Sequence, residues 1–234
     1  MKEIERIKEA YAKRNQLARH NWYEPLNPVV YLTQQEKERK LIQLLKWAKL
    51  EPLADKKVLE IGCGSGSNLL FLIRLGFKPE NLVANELLEE RALHARRTLP
   101  IVTKVMIGDA STLDLADHSF DIVLQSTVFT SILDEEFQQK LATNIWRLVK
   151  PGGGVLWYDF VYNNPKNPDV KGIPLKRIKE LFPEGQIKSW RVTLAPPISR
   201  RVVKIHPALY HLFNSIPLLR THRLCWISKQ KIGG

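Results

Sequence analysis

Val58-Leu59-Glu60-Ile61-Gly62-Cys63-Gly64-Ser65-Gly66-Ser67-Asn68 is the stretch from which the fold is read. Apolar residues and one acid run into a glycine-rich turn. A second apolar run, Leu69-Leu70-Phe71-Leu72-Ile73, follows and stops at Gly76. The spacing predicts a buried strand over 57–61, a tight loop, and a helix over 67–75 that Ser67 caps. Glycine suits the turn because it takes positive φ and leaves the backbone bare. A loop opening into a helix N-terminus presents free N–H groups to a ligand. The dinucleotide fingerprint G-x-G-x-x-G wants its third glycine at position 67, which is Ser67.

Downstream, strand and helix patterns alternate. Leu82–Glu86 reads as a strand, followed by a helix through Thr98 that Pro100 stops. Thr103–Gly108 and Phe120–Gln125 read as strands, and 133–149 as an amphipathic helix. Pro151-Gly152-Gly153-Gly154 reads as a turn feeding strand Val155–Phe160. A short helix over 175–182 and two late strands, Ile187–Leu194 and Arg223–Ile227, complete the pattern. This βαβαβ rhythm predicts an α/β fold, a doubly wound, mostly parallel sheet with helices on both faces. Upstream, Ile4, Ile7 and Tyr11 share a helical face, 21–33 reads as irregular, and Thr33-Gln34-Gln35-Glu36 reads as a capping box. The expected organisation is a helical cap over 1–50 and a main domain over 51–234, with an insertion at 195–221.

In such a sheet, ligands sit at the carboxyl ends of the strands. The first strand ends in the glycine loop and the second in Glu86, 24 residues after Gly62. Carboxylate there can accept both hydroxyls of a ribose. The third ends in Gly108-Asp109-Ala110, where Asp109 can accept from an exocyclic amine; the fourth ends in Gln125-Ser126. Any one of these acids alone would read as a helix N-cap. Four strand ends in this order read together as a nucleoside site.

These residues resemble the ordered motifs of class I S-adenosylmethionine-dependent methyltransferases. The likeness is carried by Glu60-x-Gly62-x-Gly64-x-Gly66, Glu86, Gly108-Asp109-Ala110, Phe120-Asp121-Ile122-Val123 and Leu148-Val149-Lys150-Pro151-Gly152-Gly153, and covers about residues 55–160. It implies a seven-stranded Rossmann-like sheet whose last strand, here Arg223–Ile227, is antiparallel. It implies S-adenosylmethionine as cofactor, with Gly62, Gly64 and Gly66 along its methionine part. Glu86 would lie on its ribose, Asp109 on its adenine amine, and Gln125 near its sulfonium. Glu60, Cys63, Asn68, Leu87 and Ala110 complete the expected cofactor set. The one departure is Asn85-Glu86 where many members carry Asp.

Methyl transfer from a sulfonium needs alignment more than acid–base chemistry. For an alcohol acceptor the candidate bases are Asp159 and His206. Tyr158 or Tyr31 could lay a ring face against the sulfonium. The six histidines and two cysteines show no metal-ligand spacing.

Charge bears on the acceptor. The net charge is +12, and 14 Lys/Arg against 3 Asp/Glu fall within 161–234. That imbalance points to an anionic partner or to a solvated basic face. Gln125-Ser126-Thr127-Val128 stands where relatives that methylate base amino groups carry Asn/Asp-Pro-Pro-aromatic, which disfavours a nucleic-acid acceptor. The favoured reading is O-methylation of a small-molecule or saccharide acceptor, with Arg200, Arg201, Lys204 and Arg220 placed to hold a phosphate. The alternatives are an RNA methyltransferase and a non-catalytic methyltransferase-like binding domain. Short segments, Asn27-Pro28 with Gln35-Glu36-Lys37-Glu38-Arg39 and Leu218-Leu219-Arg220-Thr221-His222, are similar to bacterial methyltransferases of surface-polysaccharide assembly. Leu209, Leu212, Phe213, Ile216 and Leu218 read as core, with peripheral membrane contact as the alternative. No run is long enough to span a bilayer, the charged N-terminus is unlike a signal peptide, and two cysteines fit a reducing cytoplasm.

Overall fold

The computed structural model describes residues 2–16 and 24–231. One seven-stranded sheet organises them, in the order β3-β2-β1-β4-β5-β7-β6. The strands are β1 (Val58–Ile61), β2 (Leu82–Glu86), β3 (Lys104–Ile107), β4 (Phe120–Ser126), β5 (Val149–Phe160), β6 (Gln186–Leu194) and β7 (Arg220–Ser228). The first five pair in parallel, and β7 runs antiparallel to both β5 and β6. The order reverses between β1 and β4, so a crevice opens beyond the carboxyl end of β1.

Each face of the sheet is buried, as parallel strands require. β1 is buried at all four positions. On one face, helices α2 (Pro28–Trp47), α3 (Ser67–Arg74) and α4 (Glu89–Thr98) bring Leu44, Leu72 and Ala95 against Val58, Ile122 and Leu156. On the other, α5 (Glu135–Leu148) and α6 (Leu175–Leu181) pack Leu141, Ile145 and Ile178 on Leu59, Val123 and Trp157. Ile7 of α1 (Lys2–Gln16) joins that second core.

Four expectations change. The cap of α3 is Gly66 in the left-handed region, and Ser67, read as the cap, is the first helical residue. Asn27 accepts from the Val29 amide and Pro28 takes the first helical turn, so α2 starts six residues before the capping box read at Thr33. Glu36 is instead buried inside that helix, accepting from the Thr193 amide and the Tyr210 hydroxyl. Residues 28–33 of the stretch read as irregular are therefore helical, and 21–23 lie outside the described residues. The turn at 151–154 is absorbed into β5, whose register against β4 shifts between Phe120 and Ile122. A side chain at Gly154 would come within 2.6 Å of Trp226, which is why glycine is kept where three strands crowd. The insertion folds as two helices, α7 (Pro196–Ile205) and α8 (Ala208–Asn214), over a small core of Leu32, Leu194, Val202, Val203 and Tyr210.

Candidate cofactor site

The glycine loop leaves β1 with Gly62, Gly64 and Gly66 all at positive φ, which L side chains avoid. The space beside them is closed as well. A Cβ on Gly62 would sit 2.6 Å from Val128 Cγ2, and one on Gly64 2.6 Å from an Arg91 guanidinium nitrogen. The Gly64 amide donates to Glu86 Oε2 at 2.8 Å and the Leu88 amide to Glu86 Oε1 at 3.0 Å. Each carboxylate oxygen thus keeps acceptor capacity for a further hydroxyl. Asp109 accepts from the Ser111 amide and hydroxyl, both at 2.7 Å, and so caps a short helical turn while facing the same space. Asn85 ties the two ends together, donating to Gly108 O while its own carbonyl accepts from the Cys63 amide.

A cavity of about 100 Å³ lies beyond these strand ends. Gly62, Glu86, Leu87, Asp109 and Ala110 of the expected set line it. Ser126, Thr127 and Val128 close the β4 side, and Thr127 is held at φ 59. The other expected residues stand behind this wall. Glu60 is fully buried, with its Oε1 accepting from Asn68 Nδ2 at 2.6 Å. Burial pushes its carboxyl up to about 7, opposed by the Asn68 bond and by Lys37, whose ammonium donates to Asn68 Oδ1. The Cys63 thiol is buried and pushed up to about 12. Gln125 Oε1 accepts from the Val128 amide, but its Nε2 finds no partner among the described residues. Gly64, Gly66 and these side chains shape the loop without lining the cavity.

Neither expected base enters it. Asp159 is buried on the α5 face, accepting from the Thr130 hydroxyl at 2.6 Å and the Thr130 amide, and burial lifts its carboxyl to about 7. His206 is exposed between α7 and α8, where Nδ1 accepts from the Ala208 amide. Both tyrosine candidates also lie elsewhere. Tyr31 is exposed. Tyr158 bonds Thr193 and carries the Lys37 ammonium 5.1 Å from its ring and His222 stacked at 5.0 Å. Burial and Lys37 hold that imidazole down at about 4.

Two rings line the cavity, Phe137 of α5 and Tyr11. Tyr11 comes from α1, whose Ile4 and Ile7 also line the space. Arg91 lies 5.0 Å from the Tyr11 ring. Glu3 Oε1 accepts from the Leu133 amide, and Arg6 donates to Ser131 O at 2.5 Å, so α1 is pinned as a roof. The sequence signal was the Ile4, Ile7, Tyr11 stripe; Arg91 had none.

Residues 58–153 match the family model of the methyltransferase domain. With this sheet order and this cavity, that match and the methyltransferase relatives below support a place in the class I S-adenosylmethionine-dependent methyltransferase superfamily. It is 32% identical over 133 residues to phthiotriol/phenolphthiotriol dimycocerosates methyltransferase 1 of Mycobacterium ulcerans, covering 55% of this chain and 47% of that one. It is 35% identical over 105 residues to a fatty-acid O-methyltransferase of Mycolicibacterium smegmatis, covering 44% and 37%. A tRNA N(3)-methylcytidine methyltransferase of Schizosaccharomyces pombe is 27% identical over 129 residues, covering 51% and 40%. The chain thus spans less than half the length of these relatives. In fold it is similar to a SAM-dependent methyltransferase from Archaeoglobus fulgidus, with a TM-score of 0.57 at 16% identity over 85% of this chain and 99% of that one. S-adenosylmethionine is the cofactor of this class, and the residues present fit it: a cradle without side chains, and two carboxylates with spare acceptor capacity at adjoining strand ends.

Proposed function

We propose that this chain is an S-adenosylmethionine-dependent O-methyltransferase whose acceptor is a small lipophilic or lipid-linked molecule, saccharide units included. One observation carries the cofactor half: Gly62, Glu86 and Asp109, from three separate strand ends, face one cavity. Glu86 would hold the ribose hydroxyls, Asp109 the adenine amine, and the glycine loop the methionine part. When bound, the cofactor supplies a methyl group on a positively charged sulfur. Among the described residues, the ionisable side chains lining the cavity are Tyr11, Glu86, Arg91 and Asp109. Glu86 and Asp109 are assigned to the nucleoside and Arg91 lies against the Tyr11 ring. On this reading catalysis rests chiefly on alignment, which supplies on the order of 7–11 kcal/mol. The β4 end, Ser126 to Val128, is the side from which an acceptor would approach.

The acceptor half is supported by two relatives whose names specify lipid substrates. The phosphate site expected at Arg220 is weakened, because its guanidinium donates to Asn214 O and Arg191 O. Two buried free cysteines suit a reducing cytoplasm. Among the described residues no helix is long and apolar enough to cross a membrane. The test is transfer from methyl-labelled S-adenosylmethionine into fractionated extract of the source cell. Label in the lipid fraction is the expected result. Label confined to RNA overturns the acceptor assignment, and cofactor binding without transfer to any fraction overturns the activity.

A further inference from the structure

We propose that the α7–α8 insertion is a docking surface for an anionic lipid bilayer, which presents the acceptor to the carboxyl edge of the sheet. The inference rests on the lipid-linked reading for its purpose, but its observations are separate. Of the five apolar residues expected to be core, only Leu209 and Phe213 pack inward. Leu212 is 63% exposed and Leu218 81%, and Ile205 at the end of α7 is 78% exposed. Ala208 and Leu212 lie one turn apart on the exposed face of α8, while Ile205 ends α7 and Ile216 follows α8, and all four are exposed. Apolar side chains clustered on a surface in this way mark an interaction site.

Charge decides the occupant. Arg201 and Lys204 are exposed beside the apolar residues, and no Asp or Glu occurs after Glu184. A second copy would set basic against basic on a chain of net charge +12. Nucleic acid would want stacking aromatics. Within the insertion Tyr210 is buried and Phe213 half-buried, so no Phe, Tyr or Trp is offered. Aliphatic side chains ringed by cations instead match the boundary between acyl chains and anionic headgroups.

The surface is held in a fixed position. β6 lies antiparallel to β7, which is antiparallel to β5, so β6 ends on the same edge as β1–β5 and the insertion leaves from there. The Ala195 amide donates to Leu219 O at 2.9 Å and closes its base. Thr193, at φ 66, gives its amide to both Glu36 oxygens, and Tyr210 adds its hydroxyl. The patch therefore stands on the edge where the cofactor cavity opens.

Sedimentation with vesicles tests this without any methyl transfer, so its failure is distinct from failure of the acceptor reading. Wild-type chain should bind phosphatidylcholine vesicles containing phosphatidylglycerol at least about tenfold more tightly than phosphatidylcholine alone, and added salt should weaken the binding. The triple substitution Ile205→Asp, Leu212→Asp, Leu218→Asp and the double substitution Arg201→Glu, Lys204→Glu should each abolish it, with cofactor affinity and melting temperature kept. Vesicle binding unaltered in both variants, or none by wild type, overturns the proposal. Self-association that the triple substitution abolishes, in a chain that ignores vesicles, would assign the patch to a second copy instead.

Discussion

Glu86 and Asp109 each do two things. Their oxygens accept backbone and hydroxyl donors that fix the strand ends, and they also face the cavity. A cap and the ligand role proposed for Asp109 are compatible, because a carboxylate has about four acceptor positions and the cap uses two. Glu86→Ala and Asp109→Ala should each weaken S-adenosylmethionine binding by about tenfold to a hundredfold, some 1.4–2.8 kcal/mol. Titration calorimetry checks this, and unchanged affinity in both would remove them from the site. Both residues were legible in the sequence because each directly ends an apolar run. Glu60, Asn68 and Gln125 were equally legible as neighbours of the loop. Their direction was not, since strand alternation sends Glu60 toward α2 and α3, where Asn68 and Lys37 meet it.

At the scale of elements, α1 and α2 part company. Read together as one cap, they pack on different parts of the molecule. α1 roofs the cavity on the α5 side, and α2 packs on the opposite face of the sheet. Arg6→Ala removes the bond to Ser131 O and should speed cofactor dissociation about fivefold, a change of about 1 kcal/mol. Stopped-flow displacement reads it, and an unchanged rate would mean that α1 does not hold the cofactor in. α2 carries the other device. Glu36→Ala would leave the Thr193 amide and the Tyr210 hydroxyl without their buried acceptor, at a cost of about 2–4 kcal/mol. Hydrogen exchange should then rise across 195–219 before it rises in the sheet. A uniform rise would show that the insertion is no separate unit of stability.

Across the whole molecule, pH acts through groups buried in unfavourable charge states. Asp159 and Glu60 are raised to about 7 in the folded chain, chiefly by burial. Folding then retains protons that the unfolded chain releases near pH 4. Their contribution to stability is full below about pH 4 and is lost as pH rises to about 7, on the order of 3 kcal/mol per carboxyl. His222 is shifted the opposite way, to about 4, and costs stability as pH falls from about 6.5. The clean measurement is therefore a difference. Asp159→Asn should show a shallower loss of urea stability between pH 5 and 8 than wild type, and identical slopes would dismiss the buried carboxyl as its source.

The sequence by itself determined the sheet and its glycine loop, because both are written in neighbouring residues. Apolar runs of strand length, glycines that only a positive-φ turn can use, and acids at strand ends are local signals. Six of the seven strands lie within about three residues of their expected limits, and β7 was correctly read as the reversed one. What tertiary structure alone decided depends on distance along the chain. Tyr11 and Arg91 meet at a cavity built on Gly62, and Glu36 meets Thr193 across 157 residues. Asp159 lies on the α5 face, but its carboxylate is taken up by the Thr130 amide and hydroxyl and does not line the cavity. The insertion is the sharpest case. Its apolar residues carry the same pattern whether they face a core or water, and only the packing of α7 and α8 on Leu32 and Leu194 sends Leu209 inward and leaves Leu212 and Leu218 out.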